Sequence, residues 1–228
     1  PIYHRMRTGN ASADEWARWD RETTDANLDV LAELGVTDVH IACTKGFGLD
    51  YEKPIIERAA EFTERAAGRG VATSLYIQGF PVYYETFLLE RPEAVDWFVR
   101  DQYGDVVPWG GQTFRRWMDP ACAGWLEYQC MLFEYVLEQI SAPPFISIDN
   151  SAPPPPSYTT ASIKSFREHL RRKFAADDPV QRFGIPSFDA VDLPRFDPVH
   201  WPPDAYSVVK DPLLQQWALW RSETTCAF

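Results

Sequence analysis

Residues 145–150 read Phe-Ile-Ser-Ile-Asp-Asn, an apolar run that ends in a carboxylate, Asp149, and an amide, Asn150. A carboxylate at the tip of a buried strand can serve as a nucleophile or a proton carrier. An amide beside it offers both a donor and an acceptor at the same tip. The plainer readings are an Asp149 that caps a loop and an Asn150 that makes an ordinary turn. Lys45 follows the apolar run 36–43 and could bind a hydroxyl or a carboxylate, or remain a solvated loop lysine. Tyr76 and Gln78 close the run 71–78 and share one face by the two-residue strand period, so they line a site together unless Tyr76 packs in the core. Trp109 and Trp117 bracket a glycine pair and offer flat faces for a sugar ring, or pin a loop. Asp119 precedes Pro120 and reads as a helix N-cap. His4 and His40 are solitary; neither is expected to bind metal, and a mid-strand His40 is expected in the core or lining a barrel.

Strand–helix units must position these groups. Residues 3–7 make a short first strand. Residues 25–34 make a helix with Ala26, Val30, Leu31 and Leu34 on one face, stopped by Gly35. A strand follows at 36–43. Pro54 is expected to open the next helix, with Ile55, Ala59, Phe62 and Ala66 facing inward. A second clear strand covers 71–78. Residues 79–119 form a long, turn-rich excursion with a short helix near 91–99. The helix after Asp119-Pro120 carries Trp125, Gln129, Phe133, Val136, Leu137 and Ile140 on one stripe. The strand to Asn150 comes next, and the prolines of the loop at 152–156 forbid an immediate helix. Asp211-Pro212 starts a last helix with Leu213, Leu214, Trp217, Trp220, Thr224 and Phe228 at helical spacing.

Alternating strands and helices with long loops after the strands indicate a parallel α/β fold. Thr44-Lys45-Gly46-Phe47-Gly48 matches neither a dinucleotide nor a phosphate loop, which favours a (β/α)8 TIM-type barrel over an open doubly wound sheet. About four β/α units are readable. The expectation is therefore one β/α-barrel catalytic domain over residues 1–228, of which this chain covers the N-terminal half. The rest of the barrel would come from further sequence or from a second copy.

Composition narrows the partners. A formal charge of −11 argues against nucleic acid and anionic membranes and suits a neutral glycan. No apolar stretch reaches the roughly 18 residues of a membrane span, and no signal peptide is seen, so a cytoplasmic location is the default. Cys43, Cys122, Cys130 and Cys226 show no zinc spacing and read as buried or half-buried thiols of a reducing compartment. No cofactor is implied.

Several short motifs carry a resemblance. They are Leu34-Gly35-Val36-Thr37-Asp38-Val39, Gly70-Val71-Ala72-Thr73-Ser74-Leu75-Tyr76, Arg91-Pro92-Glu93 followed by Asp101-Gln102-Tyr103-Gly104, and Asp149-Asn150. Phe166 to Phe174 and Leu193-Pro194 follow. In this order they resemble the retaining glycoside hydrolase barrels, nearest to the family 42 β-galactosidases. The resemblance implies hydrolysis of a glycosidic bond by a carboxylate pair, with Asn150 on a sugar hydroxyl. One position departs from it. The family continues Asp-Asn with the glutamate that is its general acid/base, and here Ser151 stands instead. A serine hydroxyl cannot donate a proton near neutral pH. In other sugar-hydrolase barrels an aspartate closing the fourth strand is the nucleophile, which is the role open to Asp149. The alternative is a non-catalytic glycan-binding barrel that has lost its acid/base.

Overall fold

The computed structural model describes residues 12–195 and 210–227. The strand expected at 3–7, His4 and Phe228 lie outside these residues. In chain order the elements begin with α1 (Ala13–Glu22), α2 (Asp25–Glu33), β1 (Asp38–Ala42), α3 (Leu49–Ala67) and β2 (Ala72–Gln78). β3 (Pro81–Tyr83), α4 (Tyr84–Glu90), β4 (Arg115–Trp117), α5 (Ala123–Gln139) and β5 (Ile146–Asp149) follow. α6 (Thr160–Lys173), α7 (Pro179–Phe183) and α8 (Pro212–Cys226) complete the series. The elements make two compact units, one from Pro1–Gly79 with Cys130–Asn150 and one from Phe80–Gln129 with Ser151–Phe228. Among the described residues no helix is long and apolar enough to cross a membrane.

The first unit holds a parallel sheet in the order β1-β2-β5. Register pairs His40 with Ser74, Ala42 with Tyr76, Tyr76 with Ser147 and Gln78 with Asp149. The two-residue period then sorts the side chains into unlike faces. Val39, Ile41, Leu75, Ile77, Ile146 and Ile148 share one face; Val39 and Ile41 pack on Leu28, Phe62, Ala66 and Val71. Asp38, His40, Ser74, Tyr76, Gln78, Ser147 and Asp149 share the other, and Ser74 Oγ donates to Asp38 Oδ2 at 2.9 Å. His40 is exposed on this polar face rather than buried in a core.

α3 begins earlier than the sequence suggests. Its first residue is Leu49, with Gly48 at the N-cap, and Pro54 sits inside the helix. Early initiation buries Leu49 and Glu52 on the same stripe as Ile56, Ala59, Phe62 and Ala66. That burial outweighs the one backbone hydrogen bond that a proline in the second turn removes. Ile55, expected inside, is only half-buried.

In the second unit β3 and β4 pair antiparallel, extended by bridges Phe98↔Met118, Arg100↔Val106 and Pro108↔Arg116. The helix expected over 91–99 is instead a 3-10 turn, Pro92–Asp96, preceded by α4. Pro92 has no N–H to continue α4 and starts a new turn. Phe87 packs edge-on against Tyr128 (4.8 Å) and Trp125 (6.0 Å). Phe166, Leu170, Leu214, Trp217 and Trp220 join α6 to α8. Asp211 caps α8 as expected, accepting from the N–H groups of Leu213 (2.8 Å) and Leu214 (3.0 Å). α5 contributes residues to both units; Trp125, Gln129, Val136 and Ile140 are buried, whereas Leu137 is exposed. Cys43 and Cys122 are buried, but Cys130 and Cys226 are exposed thiols on helix surfaces, which corrects the expectation for those two.

Candidate active site

Three loops at the C-terminal tips of β1, β2 and β5 build a polar cluster in the first unit. The loop after β1 is held at four points. Cys43 N–H donates to Tyr76 O at 2.9 Å, and Gln78 N–H donates to Thr44 Oγ1 at 2.8 Å. Lys45 N–H donates to the buried carboxylate of Glu52, and Phe47 is 1% exposed. Gly46 and Gly48 have φ of 85° and 105°, which residues with a Cβ rarely adopt. This anchoring sets the Lys45 ammonium 3.5 Å above the centroid of the Tyr76 ring. Burial, reinforced by the Glu52 charge, pushes the Cys43 thiol up to about 12, so it is not a nucleophile at neutral pH.

Tyr76 Oη donates to Asp149 Oδ2. Asn150 Nδ2 donates to the same oxygen at 2.9 Å. Gln78 Oε1 lies 3.4 Å from both Tyr76 Oη and Asn150 Nδ2, and Gln78 Nε2 reaches Asp149 O at 3.4 Å. Among the described residues no donor reaches Asp149 Oδ1. One carboxylate oxygen is thus fixed in orientation while the other, on an exposed side chain, meets no donor among the described residues. Asn150 has φ of 55°, a left-handed conformation that asparagine tolerates better than most residues. That turn brings its amide back onto Asp149.

Gly79 completes the tip. Its N–H donates to Asp149 O at 2.7 Å, and a Cβ there would lie 2.7 Å from the same oxygen. Only glycine allows the β2 and β5 tips to approach this closely.

Asp149, Asn150, Lys45, Tyr76 and Gln78 therefore meet in one cluster. Trp109 and Trp117 belong to the second unit and form their own group. Their ring centroids are 6.3 Å apart, and the Arg115 guanidinium lies 4.2 Å from the Trp109 ring and 5.0 Å from that of Tyr83. Both tryptophans are half-buried.

Asp119 is not the cap of α5, which begins at Ala123. It is 1% exposed, and its Oδ2 accepts from the hydroxyls of Ser157 (2.6 Å), Thr159 and Ser162 (2.8 Å). Its Oδ1 accepts the Ala121 N–H at 2.9 Å. The Asp119 carboxylate thus ties the segment after the prolines to the start of α6.

Sequence reasoning missed Glu52, Thr44 and Gly79. Glu52 was legible in principle as a charge on the apolar stripe of α3, once the helix is started at Leu49. Gly79 carried only the signal of a glycine directly after a strand.

These elements define an α/β protein with a parallel sheet and a polar cluster at its strand tips. No family model matches the chain, and no curated protein sequence matches it. Among solved structures it is similar to an α-galactosidase from Thermus thermophilus, at 20% identity over 54% of this chain and 26% of that chain, with a TM-score of 0.42. It is also similar to a noncanonic maltogenic α-amylase from Thermotoga neapolitana, at 16% identity over 69% of this chain and 38% of that one, with a TM-score of 0.43. An α-amylase from Lactobacillus plantarum matches at 18% identity, 66% and 38% coverage and a TM-score of 0.42. The matched chain spans between about a quarter and two-fifths of these structures.

Proposed function

We propose that the chain is part of a (β/α)8-type glycoside hydrolase, akin to the family 42 β-galactosidases, in which Asp149 is the nucleophile. The observation that carries this reading is the asymmetric dressing of its carboxylate. Tyr76 and Asn150 both donate to Oδ2, and Oδ1 is left to attack. In the reaction Oδ1 bonds to the anomeric carbon as the C1–O bond to the leaving group breaks. Water then releases the sugar and restores the carboxylate. Asn150 and Lys45 supply an amide and an ammonium group for sugar hydroxyls, and the buried Gln78 steadies the Asn150 amide behind them.

The sheet supports the same reading. A parallel sheet covered by helices on both faces is apolar on both. Here one face carries Asp38, His40, Ser74, Tyr76, Gln78, Ser147 and Asp149, which suits the polar interior of a barrel rather than a helix-covered layer.

The test is hydrolysis of p-nitrophenyl glycosides by the full-length protein. An aryl group leaves as a phenolate, so the nucleophilic step does not depend on the identity of the acid. Asp149→Asn should abolish turnover while leaving the unfolding midpoint within about 1 kcal/mol of wild type. Full retained activity removes Asp149 from the chemistry. Ser151 favours a second reading, a glycan-binding barrel without turnover. Under it wild type binds sugars but hydrolyses none, and Ser151→Glu is the variant that could regain activity.

A further inference from the structure

The second unit has a cavity of about 540 Å³ that includes neither tryptophan and none of the Asp149 cluster. This volume lies in the range of small-molecule sites, about 300–1,000 Å³. Tyr103, Tyr158, Pro155 and Pro156 give it flat apolar walls, and Asp101 and Asp105 bring carboxylates to it. Both sides are built rather than loose. Asp101 Oδ1 accepts the N–H groups of Tyr103 (2.8 Å) and Asp105 (3.0 Å), and Asp101 N–H donates to Asp105 O at 2.9 Å. The resulting turn presents Tyr103 with 70% of its surface exposed. Tyr158 is fixed by its N–H to Arg100 O (2.8 Å) and its hydroxyl to Pro194 O (2.6 Å). Burial raises the Tyr158 phenol above its ordinary value, so it stays neutral and keeps that bond.

The remaining polar groups are of both kinds. Gln102 Nε2 donates to Tyr103 Oη at 3.1 Å, which leaves the Tyr103 proton to point elsewhere. The Asp105 carboxylate accepts from no described residue. A donor, acceptors and flat C–H or ring surfaces together match a pyranose, whose faces are apolar and whose rim carries hydroxyls. A simple organic cation would use the carboxylates and rings but not the Tyr103 donor.

We propose that this cavity is a second carbohydrate-binding site, which takes a neutral hexopyranose ring against Tyr103, Tyr158 and the two prolines. Sugar hydroxyls donate to Asp105 and accept from Tyr103. The Asp101 turn and Tyr158 are held before binding, so the ordering that opposes it is confined to the exposed Tyr103 ring. It stands whether or not Asp149 is a nucleophile.

Calorimetric titration of the full-length Asp149→Asn protein with maltotriose, cellotriose and methyl β-galactoside tests it. At least one sugar should bind, Tyr103→Ala should weaken that binding about tenfold or more, and Asp105→Asn should weaken it several-fold. Tyr76→Ala should leave this component intact. Both cavity positions are near the surface, and circular dichroism melts establish that the variants fold. Binding lost in Tyr76→Ala but kept in Tyr103→Ala overturns the proposal. So does silence from all three sugars, or heat only from tetramethylammonium titrated beside them as the organic-cation control. If Asp149→Asn itself still hydrolyses glycosides, the nucleophile reading fails while the cavity result is read from the Tyr103 and Asp105 variants alone.

Discussion

Alanine at Gly79 should displace the Asp149 tip and cost both stability and turnover. The added Cβ would lie 2.7 Å from Asp149 O, 3.1 Å from Asn150 O and 3.2 Å from Asn150 C, where ordinary contact starts at 3.4 Å. The Asp149 peptide must therefore retreat by about 0.7 Å, because all three atoms are backbone and no rotamer change makes room. The retreat stretches the 2.7 Å bond from Gly79 N–H to Asp149 O. Losing that bond costs about 0.5–1.5 kcal/mol and the overpacking about 1–3 kcal/mol. The expected destabilisation is about 2–4 kcal/mol. A displacement near 1 Å at a reacting group costs on the order of 10²-fold in rate. Urea unfolding should show a lower midpoint at unchanged slope, and kcat/KM on an aryl glycoside should fall about a hundredfold. Gly68→Ala is the comparison, since its nearest neighbour would be an ordinary 3.5 Å away. A Gly79→Ala protein within about 0.5 kcal/mol of wild type with unaltered kinetics refutes the close approach as the reason for glycine.

Two further predictions concern the second unit. Asp119→Ala strips three hydroxyls and the Ala121 N–H of their common acceptor, and should destabilise by at least about 3 kcal/mol in chemical denaturation; a loss under about 1 kcal/mol contradicts the network. His169 is buried between α6 and α8, with Nδ1 3.2 Å from Glu223, and burial depresses its basicity below the ordinary value of 6.5, opposed by Glu223 and Gln216 and aided by Lys173 and Arg172. The unfolded chain therefore takes up this proton first, so stability is complete above pH ~6.5 and declines as pH falls below it. His169→Phe should flatten that part of a stability-versus-pH curve, and an unchanged slope there counts against His169 as its source.

Much of the framework was legible because periodicity reports burial directly. The strands at 38–42, 72–78 and 146–149 and the cap of α8 follow from apolar runs and local hydrogen-bonding residues. Strand ends also pointed to Lys45, Tyr76, Gln78, Asp149 and Asn150, since a tip residue projects where loops leave room. Registry was not legible. That Tyr76 reaches Asp149 rather than the core depends on the pairing of Gln78 with Asp149, a relation between segments about 70 residues apart. Pro54 misled because its usual place is the first turn, whereas the burial of Leu49 and Glu52 set the start of α3. Asp119-Pro120 misled in the same way. The local pattern was that of a cap, but three distant hydroxyls claimed the carboxylate.

A nucleophilic Asp149 forms a covalent bond from Oδ1 to the anomeric carbon, and that bond can be trapped. Incubating the full-length protein with a 2-deoxy-2-fluoro glycosyl fluoride slows release of the intermediate, and peptide mass spectrometry then locates the sugar. One glycosyl adduct should form, on the peptide that contains Asp149, and be absent in Asp149→Asn. An adduct on another carboxylate, with Asp149→Asn labelled as fully as wild type, would contradict a nucleophilic Asp149.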